Sequence, residues 1–442
     1  MKIADILLAC GDIDSGIFAH IAATASKRGA RGALGLCEGG CVTGITYERL
    51  VGDSMALAGL ISERSPAAVL LHGGNAREAA LFLLASSLLE SPLILCSENA
   101  KVDAIEATVN ACGALFSVSE VLKGRDLALS ELSAAIEVGR SEFRVRMPDF
   151  RGSGFLLSFF SERGLESYSE DSVLHLACEY GMLSSYVRSD VTLSDLAPLS
   201  PEGVVCALLA PLLTGGTAAF IRMSEEVEAY SRIVRPTRLL CGAETASGAI
   251  AAVKREERGG AALPIVYSPK KRGIFAIFGK KATLAKRRRL YSGRLMRLGG
   301  RLRHVTLTDD TKMRSAQSFS ELGIVTGSLL STYGCPFVGI RTVFSPLGAW
   351  RLPGGLFADV CGVGKGGVGR LTLSGRGLCI SSDNPIKRGC IPGSFRLDDT
   401  DGLSLVTDFC GYVLPNGNIC VKKRLKSDFF CKSPCNSGEN IL

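Results

Sequence analysis

The sequence lacks several features that would assign it to a specialised class. None of its apolar runs reaches the ~18–20 residues that a membrane-spanning helix needs, so we expect no transmembrane segment. It contains only 4 histidines in 442 residues. These histidines (His20, His72, His175 and His304) match no spacing typical of a catalytic triad or a metal site, so we assign them no role. No internal repeat is visible, which argues against a solenoid or propeller.

Cysteine, in contrast, is abundant, with 16 residues. A disulfide scaffold is not indicated, because such scaffolds belong to short secreted chains. The cysteines are scattered among apolar neighbours, where cysteine behaves as a small hydrophobe, so we interpret them as reduced core thiols of a cytoplasmic protein. The tightest group (Cys410, Cys420, Cys431 and Cys435) lacks the paired CxxC units of a zinc site, so we predict no metal there.

Strand and helix patterns alternate in the first part of the chain. Short apolar runs at Ala67–Leu71, Pro92–Cys96 and Ala114–Val118 predict strands. Helices are predicted between them, from Asn75 to about Glu90 and over Val102–Cys112. The same alternation resumes between residues 217 and 267. Short strands separated by such helices predict right-handed βαβ crossovers and a parallel sheet.

The pattern changes after about residue 340. Glycine becomes frequent and the apolar runs become short and β-like, and Tyr412–Val421 has the Pro-Asn-Gly-Asn signal of a hairpin. A GxGxxG pattern at 362–367 has no helix after it, so we interpret it as a loop and not as a dinucleotide-binding turn. The sequence therefore predicts a doubly wound α/β body over residues 1–340, followed by a smaller β-rich subdomain over 341–425.

One segment is strongly basic. No Asp or Glu occurs from Arg258 to Thr308, and residues 270–303 contain thirteen Lys and Arg around the apolar patch GIFAIF at 273–278. A solvated helical face is one interpretation. Peripheral contact with a membrane is the other, with Phe275 and Phe278 in the interface and each basic group contributing about 1 kcal/mol near anionic head groups. We expect no nucleic acid partner, because no recognised binding module accompanies the basic run.

Several short motifs, in order along the chain, resemble those of acyl-CoA synthetases. The matching segments are ITYERL at 45–50, APLS at 197–200, RPT at 235–237, GGRLR at 299–303, LGI at 322–324, PG at 353–354, the strand at 369–375, and GENI at 438–441. The chain thus looks like a divergent member of the adenylate-forming superfamily and is similar to long-chain fatty acyl-CoA synthetases. The resemblance implies two doubly wound α/β subdomains plus a smaller β-rich subdomain, with the nucleotide site where they meet.

The resemblance also implies a chemistry, in which ATP and Mg²⁺ activate a fatty acid or other carboxylic acid as an acyl-adenylate. The family's phosphate loop, YTSGTTGxPKG, falls on residues 159–168. Ser161 is retained and Gly164 stands in for a lost neighbour, but Tyr168 occupies the lysine position. Glu162 and Glu166 would place negative charge beside a triphosphate. ATP binding at this loop is therefore doubtful.

The other nucleotide motifs are partly retained. In the adenine and magnesium motif, YGxTE, Tyr333 and Gly334 are present, but Phe337 replaces the glutamate that holds Mg²⁺. If the alignment with the family allows one inserted residue, Asp408 matches the ribose-binding carboxylate and Arg424 matches the arginine that follows it. A rival alignment places Phe409 at the Asp408 position, and we favour the first because it accounts for both polar residues.

The family's small C-terminal domain, which carries the adenylation lysine, would follow the GENI motif. We interpret residues 426–442 as a remnant of the hinge to that domain and expect the domain to be absent from this chain. Three functions stay open: an impaired, AMP-binding ligase-like pseudoenzyme with no catalytic residue assigned; a divergent active ligase that works with a separate C-terminal domain; and a peripheral membrane or fatty-acid-binding protein.

Overall fold

The structure of the chain is a computed structural model. It describes residues 16–103, 105–106, 115–122, 124–142, 155–161, 164–254, 283–308, 313–345, 348–363, 367–379, 381–383, 395–397 and 403–424. Several predicted features lie outside the described residues. They are the second half of the helix over Val102–Cys112, Glu162, residues 255–282 with the apolar patch at 273–278, and the segment 426–442 with Cys431 and Cys435.

The described residues form nineteen strands. In chain order these are β1 Gly32–Glu38, β2 Cys41–Thr46, β3 Ala68–His72, β4 Leu93–Cys96, β5 Leu115–Val118, β6 Leu156–Ser161, β7 Gly164–Ser169, β8 Val191–Ser194, β9 Thr217–Phe220, β10 Arg238–Cys241, β11 His304–Leu307, β12 Val325–Thr332, β13 Cys335–Thr342, β14 Leu356–Cys361, β15 Gly369–Gly375, β16 Ser381–Asp383, β17 Phe395–Leu397, β18 Leu403–Val413 and β19 Ile419–Arg424.

Ten α-helices connect or cover these strands in the described part of the chain. They are α1 Ile17–Arg28, α2 Tyr47–Ser62, α3 Ala76–Leu89, α4 Leu132–Glu142, α5 Glu170–Leu183, α6 Ala210–Leu213, α7 Val227–Val234, α8 Ala243–Lys254, α9 Ser292–Leu295 and α10 Met313–Glu321. Residues 283–290 are also helical. None of the helices described is both long enough and apolar enough to cross a bilayer.

The strands build three sheets. The first has eight strands in the order β13-β12-β11-β10-β8-β9-β1-β2, and its strands from β12 to β1 are parallel. The second has six strands, β16-β7-β6-β4-β3-β5, with a parallel centre. The third is antiparallel and contains β14, β15, β17, β18 and β19. Two mainly parallel α/β sheets and one antiparallel sheet confirm the predicted fold class.

Local sequence explains the helix between the first two strands of the second sheet. The Asn75 side chain accepts from the backbone N–H of Arg77, and Glu78 accepts from the backbone N–H of Asn75, so the first turn of α3 has its open donors satisfied. Nearly every residue of α3 is buried. Helices α1 and α2 pack against α3, and α4 packs against α2. All four helices contribute to an apolar core that also contains residues of both α/β sheets.

The segment after the APLS motif has an unusual backbone. Residues Gly203–Leu209 form a π-helix in which every residue is buried, and it continues directly into α6. The Ser200 hydroxyl accepts from the backbone N–H of Gly203 at 3.0 Å and so holds the start of this segment. Residues 204–213 are therefore a helical part of the central core. Turns of π-helix are often found near functional sites.

The loop and hairpin predictions of the β-rich region are also confirmed. Residues 362–363 and 367–368 lie between the antiparallel strands β14 and β15, so the GxGxxG pattern belongs to a strand connection. Strands β18 and β19 form the hairpin that the Pro-Asn-Gly-Asn signal predicted, with Gly417 at a φ of 78° in its turn. One short strand, β16, leaves this region and pairs with β7 of the second sheet.

Candidate functional site

The candidate site lies where the three sheets meet. The turn after β12, which contains Tyr333 and Gly334, comes from the carboxyl end of a parallel strand of the first sheet. Strand β7 of the second sheet and strand β18 of the third sheet both reach this turn through side-chain hydrogen bonds. Carboxyl ends of parallel strands are the usual place for ligand sites in α/β proteins.

The segment that corresponds to the phosphate loop is a tight β-hairpin. Strands β6 and β7 pair without interruption from Leu156 opposite Ser169 to Ser161 opposite Gly164, so only two residues connect them. Ser161 and Gly164 are thus partners at the end of a ladder. A flexible loop that wraps phosphates with its backbone N–H groups needs more chain than this connection provides.

The Glu166 side chain points into the protein interior. Its side chain is buried, and its Oε2 accepts from the Tyr168 hydroxyl at 2.6 Å and from the Gly334 backbone N–H at 2.9 Å. This differs from our expectation that Glu166 would repel a triphosphate. Side chains two residues apart lie on the same face of a strand. The side chains of Glu166 and Tyr168 therefore both point toward the turn of the first sheet.

Tyr168 occupies the lysine position as a core residue. Its side chain is fully buried and its ring packs edge-on against Phe159, with the ring centres 5.9 Å apart. Burial raises the pKa of Tyr168 well above its usual value, and the nearby Glu166 raises it further. The phenol therefore stays protonated and donates its hydrogen bond to Glu166, so this position offers no cation to a phosphate.

The adenine and magnesium motif is likewise buried. Tyr333 is only 5% exposed, and its hydroxyl donates to the Leu165 carbonyl at 3.3 Å, so little of its ring is available to stack on a base. Phe337 is fully buried and packs edge-on against Tyr180, with the ring centres 5.2 Å apart. A phenyl ring in an apolar core cannot ligate a metal.

Buried thiols surround this turn. Cys206, Cys335 and Cys379 are all buried, and Cys379 donates its backbone N–H to the Gly334 carbonyl at 2.9 Å. Burial raises the pKa of Cys335 to about 12, so its thiol stays protonated and unreactive. These three cysteines agree with the interpretation as core thiols, whereas Cys41 and Cys361 are exposed and do not. Within the described parts of the chain, no group of three or more His, Cys, Asp or Glu residues is arranged to hold a metal.

The predicted ribose-site residues Asp408 and Arg424 contact each other, and we call this pair with Thr332 the ribose corner. The Arg424 Nε donates to Asp408 Oδ2 at 2.5 Å, and the Thr332 hydroxyl donates to Asp408 Oδ1 at 2.9 Å. Thr332 directly precedes Tyr333, so Asp408, Arg424 and the turn lie together, as the family motifs implied. The Asp408 side chain is 14% exposed and that of Arg424 is 54% exposed, which places this pair at the rim.

Asp408 and Phe409, the residues that the two alignments place at the ribose position, lie in different surroundings. Phe409 is 1% exposed and belongs to the core of the third sheet, whereas Asp408 faces the turn of the first sheet.

Comparison with known proteins identifies the architecture. No protein-family model and no curated protein matches the sequence. Among solved structures, VinN superposes with a TM-score of 0.69 at 12% identity, covering 93% of this chain and 100% of VinN, and it has also been solved with L-aspartate.

Two further structures have the same architecture. The N-terminal subdomain of Klebsiella oxytoca NpsA covers 92% of this chain and 100% of its own, at 14% identity and a TM-score of 0.61. The Archaeoglobus fulgidus long-chain-fatty-acid-CoA ligase FadD1 covers 93% of this chain and 84% of its own, at 12% identity and a TM-score of 0.66. At such low identity these matches show the fold alone, and that fold is the one shared by adenylation domains and acyl-CoA ligases, as the sequence motifs implied.

Proposed function

We propose that this chain is a pseudoenzyme: an adenylate-forming fold retained as a binding scaffold, with ATP-dependent carboxylate activation impaired. The observation that carries the proposal is the bonding of Glu166. Its carboxylate connects Tyr168, at the lysine position, to Gly334, in the adenine motif, inside the core. The two parts of the fold that would approach phosphates and adenine are instead bonded to each other.

Mg-ATP does not fit the residues present. The position that would supply a carboxylate to Mg²⁺ holds the buried Phe337, and the position that would supply a cation to the phosphates holds the buried Tyr168. Preorganised charges at these positions usually supply most of the rate enhancement in such reactions. We therefore derive no catalytic step through ATP.

The ligand class that suits the scaffold is a carboxylic acid. FadD1 is a long-chain-fatty-acid-CoA ligase, and VinN has been solved with L-aspartate. Loss of the nucleotide motifs leaves the remainder of the fold intact, so a pocket for a fatty acid or another carboxylate is compatible with the loss of ATP chemistry. Cysteines stay reduced in the cytoplasm, so the many cysteines of the core favour a cytoplasmic location for this protein.

The alternative is a divergent active ligase that receives its C-terminal domain from another chain. One observation favours it, the retained contact between Asp408, Arg424 and Thr332 at the rim of the junction. A carboxylate and a hydroxyl at that place would suit the ribose of a nucleotide. This alternative requires phosphate contacts other than those of the family's loop.

Carboxylate-dependent exchange between ATP and pyrophosphate separates the two candidates. The purified chain would be assayed with long-chain fatty acids and L-aspartate, with and without an excised ligase C-terminal domain, beside an active acyl-CoA ligase as positive control. We expect no exchange above background, together with thermal stabilisation by at least one carboxylate. Exchange that requires both a carboxylate and the added domain would establish the ligase instead.

A further inference from the structure

A group of arginines lies at the opposite end of the first sheet from the candidate site. Arg28 ends α1, Arg31 precedes β1, and Arg301 and Arg303 precede β11, so all four are at the amino ends of parallel strands. Arg288 joins them, because its Nη2 donates to the Arg301 carbonyl at 3.2 Å. We call these five residues the amino-end arginines.

The amino-end arginines are close enough to affect one another. Burial lowers the pKa of Arg31, and the guanidinium groups of Arg28 and Arg301 lower it further. Burial also lowers the pKa of Arg288, and Arg303 adds to that effect. Arg28 packs over the turn at Gly215, just before β9, which places it on the same end of the sheet.

None of these five side chains forms an ion pair with a carboxylate within the described parts of the chain. Acidic residues do occur nearby, but they contact other groups and not these arginines. Asp190 binds the buried Arg238 at 2.6 Å, Glu228 binds Arg297 at 3.1 Å, and Glu48 lies beside Gly29 without reaching an arginine of the group. Positive charge therefore accumulates here without a paired carboxylate among the residues that the structure describes.

Exposed apolar side chains accompany the basic groups. Leu290 is 50% exposed and directly follows the basic run at 286–289, and Met296 is 59% exposed with its sulfur against Gly300, next to Arg301. Ile233 is 53% exposed at the end of α7, which packs on the turn containing Met296. A surface that combines cations with exposed apolar groups is typical of proteins that lie on a membrane.

The width of the group also indicates the kind of partner. Strands β1 and β11 are separated by β9, β8 and β10. Four inter-strand spacings amount to about 19 Å. A single phosphate cannot contact groups spread over this distance, whereas a surface of many head groups can. A nucleic acid backbone would match the charge but would offer no apolar partner to Leu290 and Met296.

We propose that the amino end of the first sheet is a peripheral contact for membranes that contain anionic phospholipids. Arg28, Arg31, Arg288, Arg301 and Arg303 would lie at the head groups, with Leu290 and Met296 at the apolar boundary. The surface extends the basic segment noted in the sequence to residues near the start of the chain. It is independent of the nucleotide site, so it stands whether or not ATP is bound.

Vesicle sedimentation tests this surface. The full chain would be mixed with phosphatidylcholine vesicles and with vesicles containing 30% phosphatidylserine, at low and high salt. We expect binding only to the anionic vesicles, weakened by salt. The triple variant Arg28→Gln, Arg31→Gln, Arg301→Gln should bind on the order of a hundred-fold more weakly, since each basic group near the surface contributes about 1 kcal/mol.

A charge-matched control is available on other faces of the protein. Arg222, Arg351 and Arg376 are exposed and lie outside the proposed surface, so their replacement by Gln removes the same net charge and should leave binding within about two-fold of the unmodified chain. Absence of binding to anionic vesicles at low salt, or equal loss in both triple variants, would overturn the proposal. So would tight binding to a labelled oligonucleotide without binding to vesicles.

Discussion

The two ends of the first sheet differ in how their charged groups are satisfied. At the carboxyl end, Glu166 and Asp408 are both bonded to neighbouring groups of the protein, and the positions of the phosphate lysine and the magnesium glutamate are core aromatics. At the amino end, five arginines have no carboxylate partner in the described parts of the chain. The difference teaches that the acidic groups at the carboxyl end are bonded within the fold, whereas the carboxylates among the described residues leave the amino-end arginines unpaired.

The largest expected effect is at Phe337. The variant Phe337→Glu, which restores the family's glutamate, should lose at least about 4 kcal/mol of unfolding free energy, because it buries a carboxylate without a partner. Phe337→Leu should lose only about 1 kcal/mol, since it stays apolar. Urea denaturation of both variants measures the difference. Near-normal stability of Phe337→Glu with gain of Mg²⁺ binding would show that the carboxyl end is still a usable site.

The amino end should respond to acid through His304, the first residue of β11. The pKa of His304 is lowered from its usual 6.5 to about 4, chiefly by burial, with smaller contributions from nearby arginines (Arg238, Arg303 and Arg288) against the opposing effect of Asp190. Between these pH values the unfolded chain binds a proton that the folded chain does not. Stability contributed by the neutral ring is therefore lost as the pH falls from about 6.5 to 4, by up to about 3 kcal/mol.

Denaturation curves at pH 7 and pH 4.5 measure this loss. The variant His304→Gln should show a smaller decrease in stability between the two pH values than the unmodified chain does. His175→Gln is the control, because it leaves His304 and its arginine neighbours in place. An unchanged decrease in His304→Gln would show that the amino end does not disfavour added positive charge.

A smaller effect is expected at Glu166. Glu166→Gln keeps the shape of the side chain but weakens two buried hydrogen bonds, so we expect a loss of about 2 kcal/mol of unfolding free energy. Glu137→Gln, at a side chain that is 68% exposed, should change stability by less than about 0.5 kcal/mol. Equal effects of the two changes would mean that Glu166 is not part of a structural bond between sheets.

The smallest effect is expected at the ribose corner. Arg424 is 54% exposed, and exposed ion pairs contribute little, so Asp408→Asn should cost less than about 1 kcal/mol. The same denaturation experiment provides the value. A cost as large as that of Glu166→Gln would contradict the distinction between the buried hydrogen bonds of Glu166 and the more exposed ion pair of Asp408 with Arg424.

Sequence patterns predicted the α/β fold because the βαβ alternation and the hairpin signal at Tyr412–Val421 are local. They also placed Asp408, Arg424 and Gly334 in one site through the family motifs. They could not show that Glu166 points into the core, because its partner Gly334 is distant in sequence and strand alternation does not say which face is covered. The sequence also could not predict that Arg28 and Arg31 lie near Arg301. These residues are distant in sequence, and only the order of the strands in the sheet brings them together.

The most direct test of the central claim is calorimetric titration of the chain with Mg-ATP, repeated with Asp408→Ala. The claim that the carboxyl end is structural predicts no saturable heat at millimolar ATP for either protein. Saturable binding to the unmodified chain that is lost in Asp408→Ala would contradict it, because the nucleotide site would then be intact.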